Sequence, residues 1–315
     1  MYFDLPEALS WINKASSLIK AMHAASLIST PRFVLGEAAV HGFGERLKAL
    51  IEGVAEERWR LLLKESTDPY ILPFQAACDH YFTHLAQGRE PSGLELMSVV
   101  LQALQSPLFA LRRDSVRRLR HKVRNSLQQY VHDLKLIYSK LMIVRLDLWY
   151  MKGYTRNMLP EQRILEDWER LLRFIAQGFT PAWVGYAVKF EYGPQRGVHA
   201  HVMLLFNGRE VREDETIGRI IGEHWRQVIT DGVGGYFNTN TRAYKAQMEY
   251  CGIGTFTSMT DDFQEGVARI ADYLAKPDHG VRLAVPGLDR SVRRSYLDGW
   301  QRDRLERLQA EACSD

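Results

Sequence analysis

The sequence predicts an α+β protein in which a mostly helical N-terminal region precedes an antiparallel sheet. Three observations lead there. Up to residue 140 the apolar residues recur at helical spacing. At Leu141 the texture changes to short β-branched and aromatic runs. From there strand-like and helix-like segments follow one another in the order β-α-β-β-α-β. The chain has 315 residues, 46% of them apolar and 25% charged, which suits one large folded domain or two ordinary ones.

The helical spacing is clearest over Leu9–Ala25, Leu47–Leu63 and Ile71–Leu85, with Gly and Pro clusters at Pro31, Gly42–Gly44 and Pro91–Gly93 as punctuation. A long helix is expected from Pro107 to about Ser139. In the second half LMIVRLDLWY (141–150) reads as a strand. The next segment has Pro160 in its first turn and places Ile164, Trp168, Leu171, Leu172 and Ile175 on one helical stripe. WVGYAVKFE and VHAHVMLLF read as two strands joined at YGPQRG. A helix follows with Ile217, Ile220, Ile221, Trp225 and Val228 on one face, then YCGIGTFTSM (250–259) as the fourth strand. A last helix, Asp262–Lys276, starts after the cap residue Asp261 and stops at Pro277. This order is the split arrangement of the ferredoxin-like fold, also called RRM-like. That fold packs both helices on one face of the sheet and leaves the other free. The expected organisation is a helical region at 1–140, a sheet domain at 141–295 and a helical tail at 296–315.

No apolar run approaches the roughly 20 residues of a membrane span, and the N-terminus lacks the order of a secretory signal. Cys78, Cys251 and Cys313 stand far apart, without metal or redox spacing. They read as thiols of a reducing compartment, so a cytoplasmic protein is expected. Net charge is only +3, but from Arg112 to Arg124 there are seven Lys or Arg against one Asp. Arg290, Arg293 and Arg294 form a second patch. Such stripes suit a surface that tracks phosphates; a solvated helix face would look the same.

His199-Ala200-His201 lies within the third strand, where alternation points both imidazoles to one face. Two such histidines can share a divalent metal. In a hairpin turning around Pro194–Arg196, Glu191 lies across from His199 and completes the set, and a one-residue slip would remove it. Asp147 on the first strand is a weaker fourth candidate. Alternating histidines also occur as structural features of sheets. His121, His132, His224 and His279 read as structural or surface residues. On the last helix Arg269, Tyr273 and Lys276 share a face at i, i+4 and i+7. Neighbouring positive charge favours phenolate, so Tyr273 is placed as a nucleophile would be. A tyrosine merely rimming the core would show the same spacing.

Taken together, these parts resemble the HUH endonucleases, and in particular rolling-circle replication initiators. The stretch from about Leu141 to Ser295 is similar to the inovirus replication protein family that includes the YagK/YfjJ C-terminal domain. The resemblance rests on RLDLWY (145–150), KFEYGPQRGVHAHVMLLFNG (189–208), IGEHWRQVITDGVGGYFNTN (221–240), YCGIGTFTSM (250–259) and ARIADYLAKPD (268–278). It covers about half of the chain and leaves the first 140 residues outside.

The resemblance implies that His199, His201 and Glu191 hold Mg²⁺ or Mn²⁺, that Tyr273 is the single nucleophile and that Lys276 is its basic partner. It implies nicking and rejoining of single-stranded DNA through a 5′-phosphotyrosine, as in replication initiation by a phage or mobile element. Single-stranded or hairpin origin DNA is the expected partner, with a host replication helicase or polymerase beside it and no membrane. Arg112, Arg113, Arg117, Arg118, Arg120, Lys122, Arg124 and Arg269 are the expected DNA-binding residues. Trp149, Tyr192, Tyr236 and Phe237 are candidate stacking platforms on the free sheet face. The alternatives are a non-catalytic DNA-binding regulator on the same fold, and a histidine-pair phosphoesterase acting on nucleotides.

Overall fold

Strand Leu141–Tyr150 (β1) is the axis of the sheet in the computed structural model, because three other strands pair with it. The structure describes residues 5–28, 37–53, 66–151, 160–179, 181–193, 196–278 and 285–313. The chain divides into two compact units, Met1–Arg118 and Leu119–Asp315. The division falls inside a helix, not at the strand that begins at Leu141. The described residues form ten α-helices and an open antiparallel sheet of six strands, so the chain is α+β.

In the first unit helices Leu5–Ile28 (α1), Glu37–Glu52 (α2), Ile71–Leu85 (α3) and Gly93–Leu104 (α4) bury Ile12, Ile19, Leu47, Phe74, Leu96 and Val100. Each such side chain contributes about 1.5–3 kcal/mol on burial. Helix α4 is not expected from the sequence, where Pro91–Gly93 reads as punctuation. Ser92 and Glu95 form a capping box there, so the cluster opens a helix. Gly42 and Gly44 lie within α2, and a Cβ on Gly44 would meet the backbone of Gly93. The glycine here permits close helix packing and does not break the helix. The stretch 54–63 of the expected Leu47–Leu63 helix lies outside the described residues.

Helix Pro107–Ile137 (α5) carries the chain into the second unit. There β1 is followed by Pro160–Gly178 (α6), Trp183–Gly193 (β2), Gly197–Asn207 (β3), Asp214–His224 (α7), Gly234–Asn238 (β4), Arg242–Lys245 (α8), Gly254–Phe256 (β5), Asp261–Ala275 (α9), Val292–Arg294 (β6) and Gly299–Ala312 (α10). The strand order is β4-β1-β3-β2-β6, with β5 also on β1. The fourth strand is therefore Gly234–Asn238, not the expected 250–259 run, of which only three residues are a strand. The two share one edge of β1: β4 pairs with Leu146–Tyr150 and β5 with Leu141–Ile143. The run GVGGYFN hides β4 because its glycines carry no apolar signal. Gly235 lies against the Trp149 ring and leaves no room for a side chain.

On β1, β3 and β2 one face of the sheet is apolar and packs under α6 and α7, with Trp168 edge-on to Phe190 and Tyr150 to Trp225. Of the expected stripe on α7, Ile220 and Val228 are exposed. Val228 falls in a π-helical turn, Trp225–Ile229, which changes the period after His224. Leu172 of the α6 stripe is only partly buried.

The other face changes character along each strand. On β1 it reads Leu141, Ile143, Arg145, Asp147, Trp149; on β3 Leu205, Met203, His201, His199; on β2 Ala187, Lys189, Glu191. The apolar end joins a core with Leu127, Tyr130, Val131 and Leu134 of α5 and Phe263, Val267, Ile270 and Leu274 of α9. The face is thus half covered by α5 and α9, not free as expected, and its polar end is left for chemistry.

Candidate active site

Register delivers the cluster. Glu191 pairs with His199 across β2 and β3, and Asp147 pairs with His201 across β1 and β3. The hairpin forms with no slip between Gly193 and Gly197; Pro194 and Gln195 at its tip lie outside the described residues.

Nδ1 of His199 faces the Gly197 carbonyl at 3.0 Å, which turns its Nε2 to Glu191 Oε2 at 3.3 Å. Nδ1 of His201 faces Asp147 Oδ1 at 2.6 Å, and its Nε2 lies 3.1 Å from the same Glu191 oxygen. One ligand atom from each of Glu191, His199 and His201 lies within 4.8 Å of the others. Both histidines therefore aim Nε2 at one point beside one carboxylate oxygen, a donor set that fits a divalent ion. Asp147, weighed as a fourth ligand, instead orients His201 from behind, as carboxylates do for ligating imidazoles.

Tyr273 reaches this point from above. Helix α9 is capped by the Thr260 side chain, one residue before the expected cap, and ends at Ala275, with Lys276 as its C-cap ahead of Pro277. The Tyr273 hydroxyl lies 3.0 Å from His201 Nε2, and the two rings meet edge-on.

Burial acts to raise the Glu191 carboxyl, but His199, His201 and the Lys189 ammonium outweigh it and hold it below the usual carboxylate range. Asp147 is likewise held low by His201 and Arg145 against its burial. His201 moves the other way: burial opposes its charge, yet Asp147 and Glu191 raise it above 6.5. The Tyr273 phenol is pushed up to about 12, by burial first and then by Glu191 and Asp147, with Arg145 opposing them.

The expected effect of Arg269 and Lys276 on that phenol is not what the site contains. Arg269 is paired to Glu249 at 2.9 Å and Glu265 at 3.3 Å. The cations on the Tyr273 ring are Arg145, 4.7 Å from its centre, and Lys189 at 5.6 Å. Neither is among the residues expected at the site from the sequence. The signal was present, since Arg145-x-Asp147 and Lys189-x-Glu191 are polar residues at alternate positions of otherwise buried strands.

A groove of about 510 Å³ adjoins the tyrosine, with Arg120 and Arg124 of α5 on one side and Arg269, Tyr273 and Lys276 on the other. Arg120 is held by Asp272 at 2.6 Å. The Lys276 ammonium has no hydrogen bond or ion pair among the described residues, and the buried Arg124 Nε has no hydrogen-bond partner there. Lys122 is exposed elsewhere on α5, and Arg112, Arg113, Arg117 and Arg118 are exposed on the part of α5 in the first unit. Two members of the second basic patch are used within the fold: Arg294 bonds Ser126 Oγ at 3.1 Å and Arg293 pairs with Asp289 at 3.2 Å, whereas Arg290 is exposed.

Of the aromatic candidates, Tyr192 is buried and Tyr236 is bonded to Glu223, whereas Phe237 is exposed and Trp149, under Arg196, is half-buried. His224 stacks on Phe174, His132 packs near Phe263, His121 is exposed, and His279 lies outside the described residues.

No family model, curated protein or solved structure matches the chain. Among the described residues no single helix is long and apolar enough to cross a membrane.

Proposed function

We propose that the chain is a single-tyrosine, metal-dependent DNA nicking enzyme of the HUH type, acting as a rolling-circle replication initiator of a phage or mobile element. The observation that carries this reading is the meeting of the Tyr273 hydroxyl with His201 Nε2, the nitrogen that shares a point with His199 and Glu191. A strand order of β4-β1-β3-β2 is also that of a ferredoxin-like sheet, which supports the fold expected of such enzymes.

In this reading the Tyr273 oxygen attacks a phosphodiester phosphorus in line. Its bond to phosphorus forms as the bond to the 3′-oxygen breaks; the phenol proton is released and the leaving 3′-oxygen takes one up. The products are a 5′-phosphotyrosine and a 3′-hydroxyl, and the reverse step rejoins the strand without ATP. His199, His201 and Glu191 would hold Mg²⁺ or Mn²⁺, which supplies Lewis-acid stabilisation of charge on the phosphate. Two imidazoles favour Mn²⁺ over Mg²⁺ in raw affinity. Asp147 keeps His201 turned, and Arg145 and Lys189 lie against the ring on which negative charge builds. Arg124 and Lys276 offer cations to the strand beside the scissile phosphate, with Phe237 and Trp149 as stacking surfaces.

A nicking assay on single-stranded and supercoiled DNA with Mn²⁺ tests the reading. Wild type is expected to nick, and Tyr273→Phe to bind DNA without nicking. Wild-type protein that binds DNA and never cuts with Mg²⁺ or Mn²⁺ is a regulator with an idle site.

A further inference from the structure

Lys189 is fully buried, an unusual place for an ammonium. It lies on β2, two residues before Glu191 and opposite His201. Its Nζ is paired with Oε1 of Glu191 and lies 3.4 Å from the Tyr273 carbonyl in the last turn of α9. The other oxygen of Glu191, Oε2, is the one that faces both histidines. The two carboxylate oxygens are therefore divided between two tasks, and the same lysine ties the strand carrying Glu191 to the helix carrying Tyr273.

A carboxylate free of such a partner can wrap a cation with both oxygens. A hard divalent ion accepts about six donors, so every protein donor removed leaves a position for water or phosphate. The charges make the same point. Arg145 and Lys189 balance Asp147 and Glu191, so with neutral histidines the site starts near zero net charge. A divalent ion then brings charge matched to one phosphodiester and one phenolate.

We propose that Lys189 is a positioning residue that keeps Oε1 of Glu191 for itself. Glu191 then serves the metal through Oε2 alone, and the ion is held loosely enough to keep room for the substrate. This rests on the metal-dependent reading of the site above and goes beyond it: it assigns to a residue outside the His-x-His, Glu and Tyr set the control of how tightly the metal is held.

The test is Mn²⁺ calorimetry on chelator-treated wild type and Lys189→Met, a change that keeps the buried volume and removes the charge. Loss of Lys189 is expected to tighten Mn²⁺ binding by about tenfold, since a competing cation leaves and an oxygen becomes free. Nicking turnover is expected to fall in the same variant. A merely structural lysine would weaken or spare metal binding on removal, so unchanged or weaker affinity overturns the proposal. Wild type that takes up no Mn²⁺ overturns both this proposal and the metal-dependent reading; wild type that binds while the variant fails to tighten overturns this one alone. A structure of the Mn²⁺-loaded wild type, which needs no variant, gives the second readout. Glu191 bound through one oxygen with Lys189 on the other supports the assignment, and Glu191 bound through both with Lys189 displaced overturns it.

Discussion

Nε2 of His201 stands 3.0 Å from the Tyr273 hydroxyl and 3.1 Å from Oε2 of Glu191. One imidazole nitrogen thus links the closing helix to the carboxylate on the sheet. Its geometry is set from behind, where Asp147 fixes Nδ1 at 2.6 Å.

Asp147→Asn is expected to weaken Mn²⁺ binding roughly 10- to 100-fold, because the imidazole loses its charged orienting partner. Calorimetry on the metal-free variant measures this. A dissociation constant within twofold of wild type would show that Asp147 does not act through His201.

The metal-free protein should depend on pH through the same pair. His201 is raised above its ordinary 6.5 in the folded state by Asp147 and Glu191, against burial. Its contribution to stability is therefore complete below pH 6.5 and is lost as pH rises through the folded value. Melting curves with EDTA should show the Tm gap between wild type and His201→Gln narrowing from pH 6 to pH 9. The proton also competes with the metal, so Mn²⁺ affinity should rise over the same interval. A gap that widens with pH contradicts the assignment.

Gly266 lies on the face of α9 where a Cβ would meet the backbone of Gly252. Gly266→Ala should push away the helix that carries Tyr273, costing about 1–3 kcal/mol of stability and most of the nicking activity. Gly299→Ala, with open space at its Cβ, is the control expected to leave both unchanged. Equal melting temperatures for the two variants would contradict the packing argument.

Arg124→Gln and Lys276→Gln should each weaken oligonucleotide binding and lower the slope of log K against log salt by about 0.7, the value for one phosphate contact on a single strand. Fluorescence anisotropy between 50 and 200 mM salt reads this out. An unchanged slope would remove the groove from the DNA path.

Much of this was legible in the sequence where strand periodicity speaks. The two-residue period of β1, β2 and β3 places His199, His201 and Glu191 on one face, and Pro277 bounds the helix of Tyr273, whose cap is Thr260 and not the expected Asp261. What the sequence concealed has physical reasons. Strand β4 is glycine-rich against Trp149, and the π turn shifted Val228 out of its stripe. Gly44 and Gly93 mark a close helix contact where they read as breaks. Lys189 is hard to read from the sequence because a fully buried cation is rare; its partners are Glu191 two residues on along the same strand and the Tyr273 carbonyl on the helix above, and Arg145 likewise pairs with Asp147 on its own strand. The cations next to Tyr273 in the sequence, Arg269 and Lys276, are not the ones on its ring.

Incubating the protein with Mn²⁺ and labelled single-stranded oligonucleotides, then digesting and sequencing the linked peptide, is the most direct measurement. The expected product is a DNA 5′-phosphate joined to the peptide containing Tyr273, absent from Tyr273→Phe and from His201→Ala. Nicking that proceeds without an adduct, or an adduct on another residue, would contradict the assignment of Tyr273 as nucleophile.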